Sequence, residues 1–337
     1  MSFKSGLADV RDMRTLFPGL LSAITVAFAA RFISDHYGAP VMLMALLIGM
    51  AFGFLAEDGN KCVAGIEFAS KKLLRIGVAL LGLGITVQQI ASTGHEVLLI
   101  TLGGVALTIA LGLLLSRVLG RRSRFGLLTG GAVAICGASA ALAIASVLPK
   151  SETLERDTVF TVIAVTALST LAMIIYPLIA SALHLSEFAT GVFFGATIHD
   201  VAQVVGAGYS VSDTAGETAT FVKLLRVVLL VPIVVFLSLI YSGQQAKGEK
   251  RKLPIPIFVF GFAALVLAGS YDLIPLVIKD FLLGTSRWFL VIAIAALGMK
   301  TSLKKLGDVG GSAIVLICAL TVLLAAFALT MIILTLP

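Results

Sequence analysis

The chain has 337 residues, of which 59% are hydrophobic and 13% are charged. A soluble domain carries roughly 25% charged residues, so one aqueous domain is excluded and a lipid bilayer is the expected surroundings. The net charge of +7 does not predict a nucleic-acid partner, because lysine and arginine stand in short clusters between apolar runs, as in the cytoplasmic loops of membrane proteins.

Metal, disulfide and enzyme motifs are missing from the sequence. Cys62, Cys136 and Cys318 are scattered, without a CxxC pair or a histidine at ligand spacing, so we expect no disulfide framework, no zinc site and no cofactor. HExxH and GxSxG motifs and paired carboxylates within a span are also missing, and we therefore expect no enzyme activity.

Apolar stretches along the whole chain predict an all-α polytopic membrane protein, a single transmembrane domain over residues 1–337. A bilayer core is crossed by about 20 apolar residues in a helix. On that scale about eleven transmembrane helices are expected, at 16–33, 39–56, 73–91, 96–116, 125–148, 157–180, 186–211, 217–241, 254–272, 285–302 and 311–335.

The basic clusters predict the orientation. Arginines and lysines gather in the fourth connection (117–124), the eighth (247–252) and the tenth (304–305). These even-numbered connections share one side, which the positive-inside rule makes cytoplasmic. We therefore expect a multi-pass protein of the bacterial inner membrane, with its amino terminus in the cytoplasm and its carboxyl terminus in the periplasm.

An internal repeat emerges at an offset of 216 residues. The segment that begins at Ser70 pairs with the one that begins at Ser286, Gly53 pairs with Gly269, and Gly94 pairs with Gly310. Spans 1–4 then correspond to spans 8–11, and a shift by seven spans makes the two copies run in opposite directions. The sequence thus predicts inverted repeats over about 16–116 and 217–335, joined by region 125–211, a plan that recurs in secondary transporters.

Small residues in span 2 leave two interpretations open. Gly49 and Gly53 form a GxxxG motif, which lets helix backbones approach closely in membranes. The motif marks either the interface of a homodimer or a contact within the chain.

Spans 5 and 7 are interrupted at their centres by small and polar residues. Span 5 reads Gly-Ala-Val-Ala-Ile-Cys-Gly-Ala-Ser over 131–139, and span 7 reads Ala-Thr-Ile-His-Asp-Val-Ala-Gln over 196–203. Glycine costs a helix interior about 1 kcal/mol relative to alanine, so both spans are predicted to be discontinuous helices. Close packing of small residues is the alternative.

Freed amides at a half-helix amino terminus suit an anion. We expect Ser139 and the Gly137 amide to face such a ligand from span 5. In span 7 the i, i+1, i+4 spacing predicts His199, Asp200 and Gln203 on one helical face. A mid-span histidine beside an aspartate is costly without a function or a partner.

Basic residues inside spans complete the candidate site. Lys223 and Arg226 in span 8 stand at i, i+3 and share a face. They either extend to the interface, pair with Asp200, or neutralise an anionic substrate, for which the guanidinium fork of arginine is well shaped. Lys300, at the end of span 10, is either a further substrate ligand or a topological charge.

The segments at 131–140, 199–205, 222–227 and 297–302 resemble the YeiH-like family of bacterial inner-membrane proteins, which is named for sulfate export. That family looks like a branch of a larger grouping of cation–proton antiporters and anion transporters. The resemblance implies inverted repeats with two discontinuous helices that cross at the transport site.

Residues and resemblance together predict a secondary active transporter that exports sulfate or a related small oxyanion or sulfonate. A proton or cation gradient would drive it, with Asp200 and His199 as the coupling groups, because histidine titrates near neutral pH. The alternative is a cation–proton antiporter in which the Asp200 carboxylate dominates the site. The expected partners are a small anion, a coupling proton or cation and the bilayer.

Overall fold

The computed structural model describes residues 3–92, 94–149, 151–241, 257–301 and 311–336. The basic clusters at 247–252 and 304–305, and Gly310 of the repeat, lie outside these ranges. Within them the chain is helical, without strands. The helices are α1 (Phe3–Tyr37), α2 (Val41–Ala51), α3 (Val63–Phe68), α4 (Leu74–Leu81), α5 (Val87–Ser92), α6 (Gly94–Val118), α7 (Ser123–Ala134), α8 (Ala138–Val147), α9 (Leu154–Ala182), α10 (Glu187–Thr197), α11 (Val201–Val211), α12 (Asp213–Ile240), α13 (Ile257–Ser270), α14 (Leu276–Lys300) and α15 (Gly311–Thr335).

Six of the described helices are long and apolar enough to cross a membrane: α1 from Arg14, α6, α9, α12, α14 and α15. Four apolar helices are shorter: α2, α8, α11 and α13. The all-helical membrane architecture is thus confirmed, whereas the count of eleven crossings is not.

The third predicted span begins ten residues earlier than expected. The helix begins with Val63–Phe68, continues through a π-helical turn at Ala69–Leu73, and runs on as α4 to Leu81. Lys71 and Lys72 lie within the π-helical turn. Both side chains are exposed at the helix surface, where they do not interrupt the helix.

The chain divides into two compact units. Unit 1 comprises Met1–Ile90 and Phe260–Ser302, and unit 2 comprises Ala91–Val259 and Leu303–Pro337. The single transmembrane domain and the two inverted repeats remain predictions.

Two glycine contacts in unit 1 are related by the 216-residue offset. A Cβ built on Gly298 would collide with the carbonyl oxygen of Leu46, and a Cβ built on Gly82 would lie 2.5 Å from the carbonyl oxygen of Phe262. Gly82 precedes Gly298, and Leu46 precedes Phe262, by that same offset. The same close approach therefore occurs twice. Once the glycine comes from the later segment and the carbonyl from the earlier one, and once the reverse.

A second pair of contacts obeys the same relation. A Cβ on Gly53 would lie 3.5 Å from the carbonyl oxygen of Met299, and a Cβ on Gly269 would lie 2.9 Å from that of Leu83. Two pairs of backbone contacts thus share the offset of 216 residues. This agreement in three dimensions supports the predicted repeat, whereas matched apolar residues in the sequence do not. Within the chain, Gly49 also packs on α14, so the GxxxG motif makes an internal contact.

We expect Gly298→Ala to lower the free energy of unfolding by about 2 kcal/mol, because the added methyl group must displace backbone. Gly284→Ala on the same helix is the matched control: nothing lies within 4 Å of its Cβ, so it should be neutral or stabilise the protein by about 0.5–1 kcal/mol. Unfolding of the purified protein in detergent measures both. Equal stability of the two variants would contradict this packing.

In unit 2 the fifth predicted span folds back on itself as two antiparallel halves, α7 and α8. The side chain of Ile144 on α8 meets Gly131 on α7, although 13 residues of continuous helix would separate them by about 20 Å. The start of α7 and the start of α9 also line one cavity. Helices α7 and α8 therefore form a helical hairpin, hairpin 1, with its tip at 135–137.

The seventh predicted span does the same. Gly191 on α10 and Gly208 on α11 both approach the carbonyl oxygen of Ala215 on α12, at 2.8 and 3.0 Å from their built Cβ positions. A continuous helix would place these glycines about 25 Å apart. Helices α10 and α11 thus form hairpin 2, with its tip at 198–200.

Both segments are discontinuous, as predicted, and each reverses its direction at the break; the expectation that each crosses the membrane is not confirmed. The small residues at mid-span permit a reversal of the chain, and hydropathy cannot distinguish a reversal from a kink. Helix α9 joins the open end of hairpin 1 to that of hairpin 2 over 29 residues, about 43 Å. The hairpins therefore enter unit 2 from opposite ends and meet tip to tip.

Candidate functional site

The two hairpin tips meet at Gly137 and His199. A Cβ built on Gly137 would lie 3.5 Å from the Cβ of His199. Gly137 has φ +61° and ψ −121°, a conformation open essentially to glycine alone, so this residue permits the reversal between α7 and α8. The meeting point lies beside the middle of α9, since Val165 is 3.5 Å from the same position.

Arg226 of α12 binds main-chain carbonyls at the carboxyl ends of α7 and α10, the first helix of each hairpin. Its Nε donates to Ala134 (2.8 Å) and its Nη2 to Val133 (2.8 Å) at the end of α7. Its Nη1 donates to Gly195 (3.0 Å) and Ile198 (3.2 Å) at the end of α10. Only 1% of Arg226 is exposed. One guanidinium therefore ties the two hairpins together.

Lys223 lies one turn earlier on α12 and does the same. Its Nζ donates to the carbonyl oxygens of Ile135 and Ile198, at 2.7 Å each, and the side chain is fully buried. Two of its three N–H groups are thereby used, which leaves one for a further acceptor.

These contacts bear on the three predicted roles of the basic pair. Neither side chain extends to an interface, and the hydrogen bonds of both go to main-chain carbonyls. Lys223 is also close enough to Asp200 for electrostatic attraction, and the role in substrate binding stays a prediction. Carbonyls at a helix carboxyl end lack partners within the helix and carry partial negative charge. Lys223 and Arg226 satisfy and neutralise these ends, which is what permits two helix ends to lie inside the protein.

His199 is buried and bonded to a third helix. Its Nε2 lies 3.0 Å from Oγ1 of Thr321 on α15, which itself donates to the carbonyl of Ile317. Thr321 must then accept from Nε2–H, so the histidine is the Nε2-protonated tautomer or the cation. The tips therefore also contact the middle of α15.

Asp200 caps the second half of hairpin 2. Its Oδ1 accepts from the amide of Ala202 (3.4 Å) at the start of α11, and its own amide donates to Ser169 Oγ (3.0 Å) on α9. Gln203 is fully buried and donates from Nε2 to Thr170 Oγ1 at 3.3 Å.

The sequence placed His199, Asp200 and Gln203 on one face of one helix, and this is wrong in detail. His199 and Asp200 precede α11, in the non-helical tip, and Gln203 is in its first turn. The structure nevertheless brings the three together, because a helix cap and its first turn are neighbours.

The amino end of α8 is the second half-helix start at the tips. It has no side-chain cap, since Gly137 occupies the capping position, and the Ser139 side chain in its first turn is exposed. The Gly137 amide was expected to face a ligand, but it donates to the carbonyl of Ala132 at 2.9 Å. The reversal of the chain turns that amide back onto α7. The next amides, from Ala138 onward, are those at the helix start.

Lys300 belongs to a different unit of the chain. It ends α14 in unit 1 with an exposed side chain and lies close enough to Glu67 for electrostatic interaction, whereas the other candidates belong to unit 2.

Sequence reasoning missed the hydroxyl residues Ser169, Thr170 and Thr321. Serine and threonine are common in membrane helices, where they bond the carbonyl four residues back, as Thr170 does with Thr166. Nothing in the sequence separates such residues from those that also bind a tip, except position: each lies near the middle of its helix.

Similarity to known proteins covers most of the chain. Residues 18–317 match the family described as conserved hypothetical protein 698. The chain belongs to this family. Its relatives are called UPF0324 membrane proteins, and the YeiH-like resemblance fits them.

Three relatives are similar over nearly this whole length. A UPF0324 membrane protein of Chlorobaculum tepidum is 56% identical over 315 residues, 93% of this chain and 88% of its own. One from Rhizobium meliloti is 53% identical, over 94% of this chain and 92% of its own. The UPF0324 membrane protein TauZ of Paracoccus pantotrophus is 53% identical, over 92% and 93%.

Proposed function

We propose that the protein is a secondary transporter that exports sulfate or a related small oxyanion or sulfonate, coupled to a proton or cation gradient. The observation that carries the proposal is the meeting of two opposed helical hairpins, tip to tip, in unit 2. In a bilayer such hairpins are re-entrant, and non-helical backbone at that depth is tolerated where it is buried in protein or lines a cavity.

The tips lie at the depth where transporters bind their substrates. They contact α9 at Ser169, α12 at Lys223 and α15 at Thr321, each near the middle of a helix long enough to cross a bilayer. Substrate sites of secondary transporters occupy the same depth and use half-helix amino ends for anionic groups.

The charge at the tips favours an anion. With Lys223 and Arg226 charged, Asp200 ionised and His199 neutral, the tips carry one net positive charge. The two carboxyl ends of half-helices are occupied by the basic side chains, and the α11 amino end is capped by Asp200. That leaves the uncapped α8 amino end, with Ser139 beside it, as the place for the anion.

Asp200 and His199 are the groups that couple anion transport to the proton or cation gradient. The Asp200 carboxylate caps α11 at the tip, so loss of its charge on proton or cation binding changes the charge at the site where the anion binds. The cation–proton antiporter alternative is favoured by this same carboxylate, since it is an acidic group held at the hairpin junction.

The hairpins fit one orientation of the chain. With both re-entrant, nine segments of the described chain would cross the membrane: spans 1–4, α9, α12, α13, α14 and α15. The amino terminus is then cytoplasmic and the carboxyl terminus periplasmic, in the bacterial inner membrane. The base of hairpin 1, with its arginines, joins the other basic connections on the cytoplasmic side.

We expect a thiol reagent that carries an ethylsulfonate group to block transport in Ser139→Cys, because the reagent places a fixed anion at the α8 amino end. The parent protein has Cys62 and Cys318 replaced by alanine and keeps the buried Cys136. The measurement is labelled sulfate flux in proteoliposomes, with sulfate also tested for protection of the new thiol.

Ser146→Cys is the matched control. Ser146 is exposed, on the same face of α8, two turns from the tip. Its modification should leave flux within about twofold, as for the parent protein, since the α8 dipole field fades within one turn. Equal block at both positions, or undiminished flux after labelling of Ser139→Cys, would sink the assignment.

A further inference from the structure

A second basic site lies at the open end of hairpin 1. A partly open cavity of about 230 Å³ is lined there by the first turns of α7 and α9 and by the turns that precede them. Four arginines line it: Arg121, Arg122, Arg124 and Arg156. The acidic side chain in its lining is Asp157, which lies 3.7 Å from Arg156.

Four guanidinium groups against one carboxylate make an electropositive cleft, and a cleft lined by one sign of charge concentrates counter-ions. The arginines come from two different elements. Arg122 and Arg124 belong to the start of hairpin 1, and Arg156 belongs to α9.

The side chain of one arginine is held in place by contacts within the protein. Arg121 donates from Nε and Nη2 to Ser312 Oγ, at 3.0 and 2.8 Å, and its guanidinium lies 5.3 Å from the ring centre of Phe125. Its remaining nitrogen, Nη1, is not used in these bonds. The hydroxyl residues Ser151 and Thr153 also line the cavity and supply neutral donors.

This cavity is separate from the hairpin tips. Arg124 stands ten residues before Ala134, where α7 ends, a distance of about 15 Å along the helix. Along α7, the lining of the cavity extends only as far as Leu128.

We propose that this cavity binds a phosphate-type oxyanion group, carried by an anionic phospholipid or free in solution, and that the bound group bridges hairpin 1 to α9. Guanidinium forks match a tetrahedral oxyanion bidentately. The cavity has room for one such group and not for a second domain or a peptide. The bridge holds the base of hairpin 1 against α9.

Two binding measurements on the full-length protein test the proposal. Calorimetry in detergent measures affinity for inorganic phosphate. Native mass spectrometry measures retention of phosphatidylglycerol against phosphatidylcholine. We compare wild type with Arg122→Gln/Arg156→Gln, whose two side chains are exposed, and with the charge-matched control Arg31→Gln/Arg75→Gln, exposed arginines of unit 1.

The cavity variant should bind about tenfold more weakly or worse, since each lost bond joined two charged groups, and the control should bind as wild type does. Phosphate binding identifies a free oxyanion, whereas selective phosphatidylglycerol retention identifies the lipid. Equal binding by both double variants, or no binding of either ligand by wild type, would overturn the proposal. Both readouts are binding, so they are independent of transport.

Discussion

Replacement of Arg226 by methionine should destabilise the protein by about 3–5 kcal/mol, the cost of breaking a buried network on one side. Methionine fills a similar volume but donates no hydrogen bond. The carbonyl groups of Val133, Ala134 and Gly195 would then be buried without this donor. The carbonyl of Ile198 would keep only its bond from Lys223. We expect poor yield, early elution as aggregate, and a much lower melting temperature in detergent.

Two further variants make this result specific. Arg226→Lys keeps the charge but loses the fork, so it should fold and fall between wild type and methionine. Arg31→Met removes an arginine whose side chain is 54% exposed and paired with Asp35, and should cost less than about 1 kcal/mol. An Arg226→Met protein as stable as Arg31→Met would contradict the capping role.

Asp200→Asn should fold normally and lose gradient-dependent transport altogether. The amide oxygen of asparagine can still cap α11 in place of Oδ1, and asparagine is as good an N-cap as aspartate. Its charge, however, no longer changes with a bound proton or cation. We expect flux driven by a pH gradient to fall to the level of protein-free liposomes, with a melting temperature close to that of wild type.

The control for Asp200→Asn is Asp213→Asn. Asp213 lies in the first turn of α12, at the open end of hairpin 2, far from the tips along the helix. It should retain gradient-dependent flux. Full coupled activity in Asp200→Asn would remove the coupling role from the tip.

The sequence predicted the positions of the breaks well, because glycine beside polar residues at mid-span disfavours a continuous helix. It could not predict the reversal at Gly137 and at 198–200, since a kinked span and a hairpin have the same hydropathy. The reversal shows only in contacts such as Gly131 with Ile144.

The sequence also could not show that the basic pair binds the carbonyls at the helix ends. Lys223 and Arg226 bind main-chain carbonyls that lie 25 to 93 residues away along the chain, and main-chain atoms carry no residue signature. Their spacing at i, i+3 predicted a shared face correctly. Their partners became apparent only once the helix ends were seen to converge on α12.

The repeat illustrates the opposite case. Matched apolar residues at an offset of 216 residues were weak support by themselves, so the prediction rested on the matched glycine and serine positions. The contacts of Gly82 with Phe262 and of Gly298 with Leu46 turn the same offset into a statement about packing, because close backbone approach requires glycine at both equivalent positions.

The most direct test of the central claim is flux of labelled sulfate and of a small labelled sulfonate into proteoliposomes of the wild-type protein, with and without an imposed pH gradient. The account predicts uptake of at least one anion that depends on the gradient and collapses with a protonophore. Anion uptake no faster than in protein-free liposomes, while the same vesicles exchange Na⁺ or K⁺ for protons, would contradict it and establish the cation–proton antiporter instead.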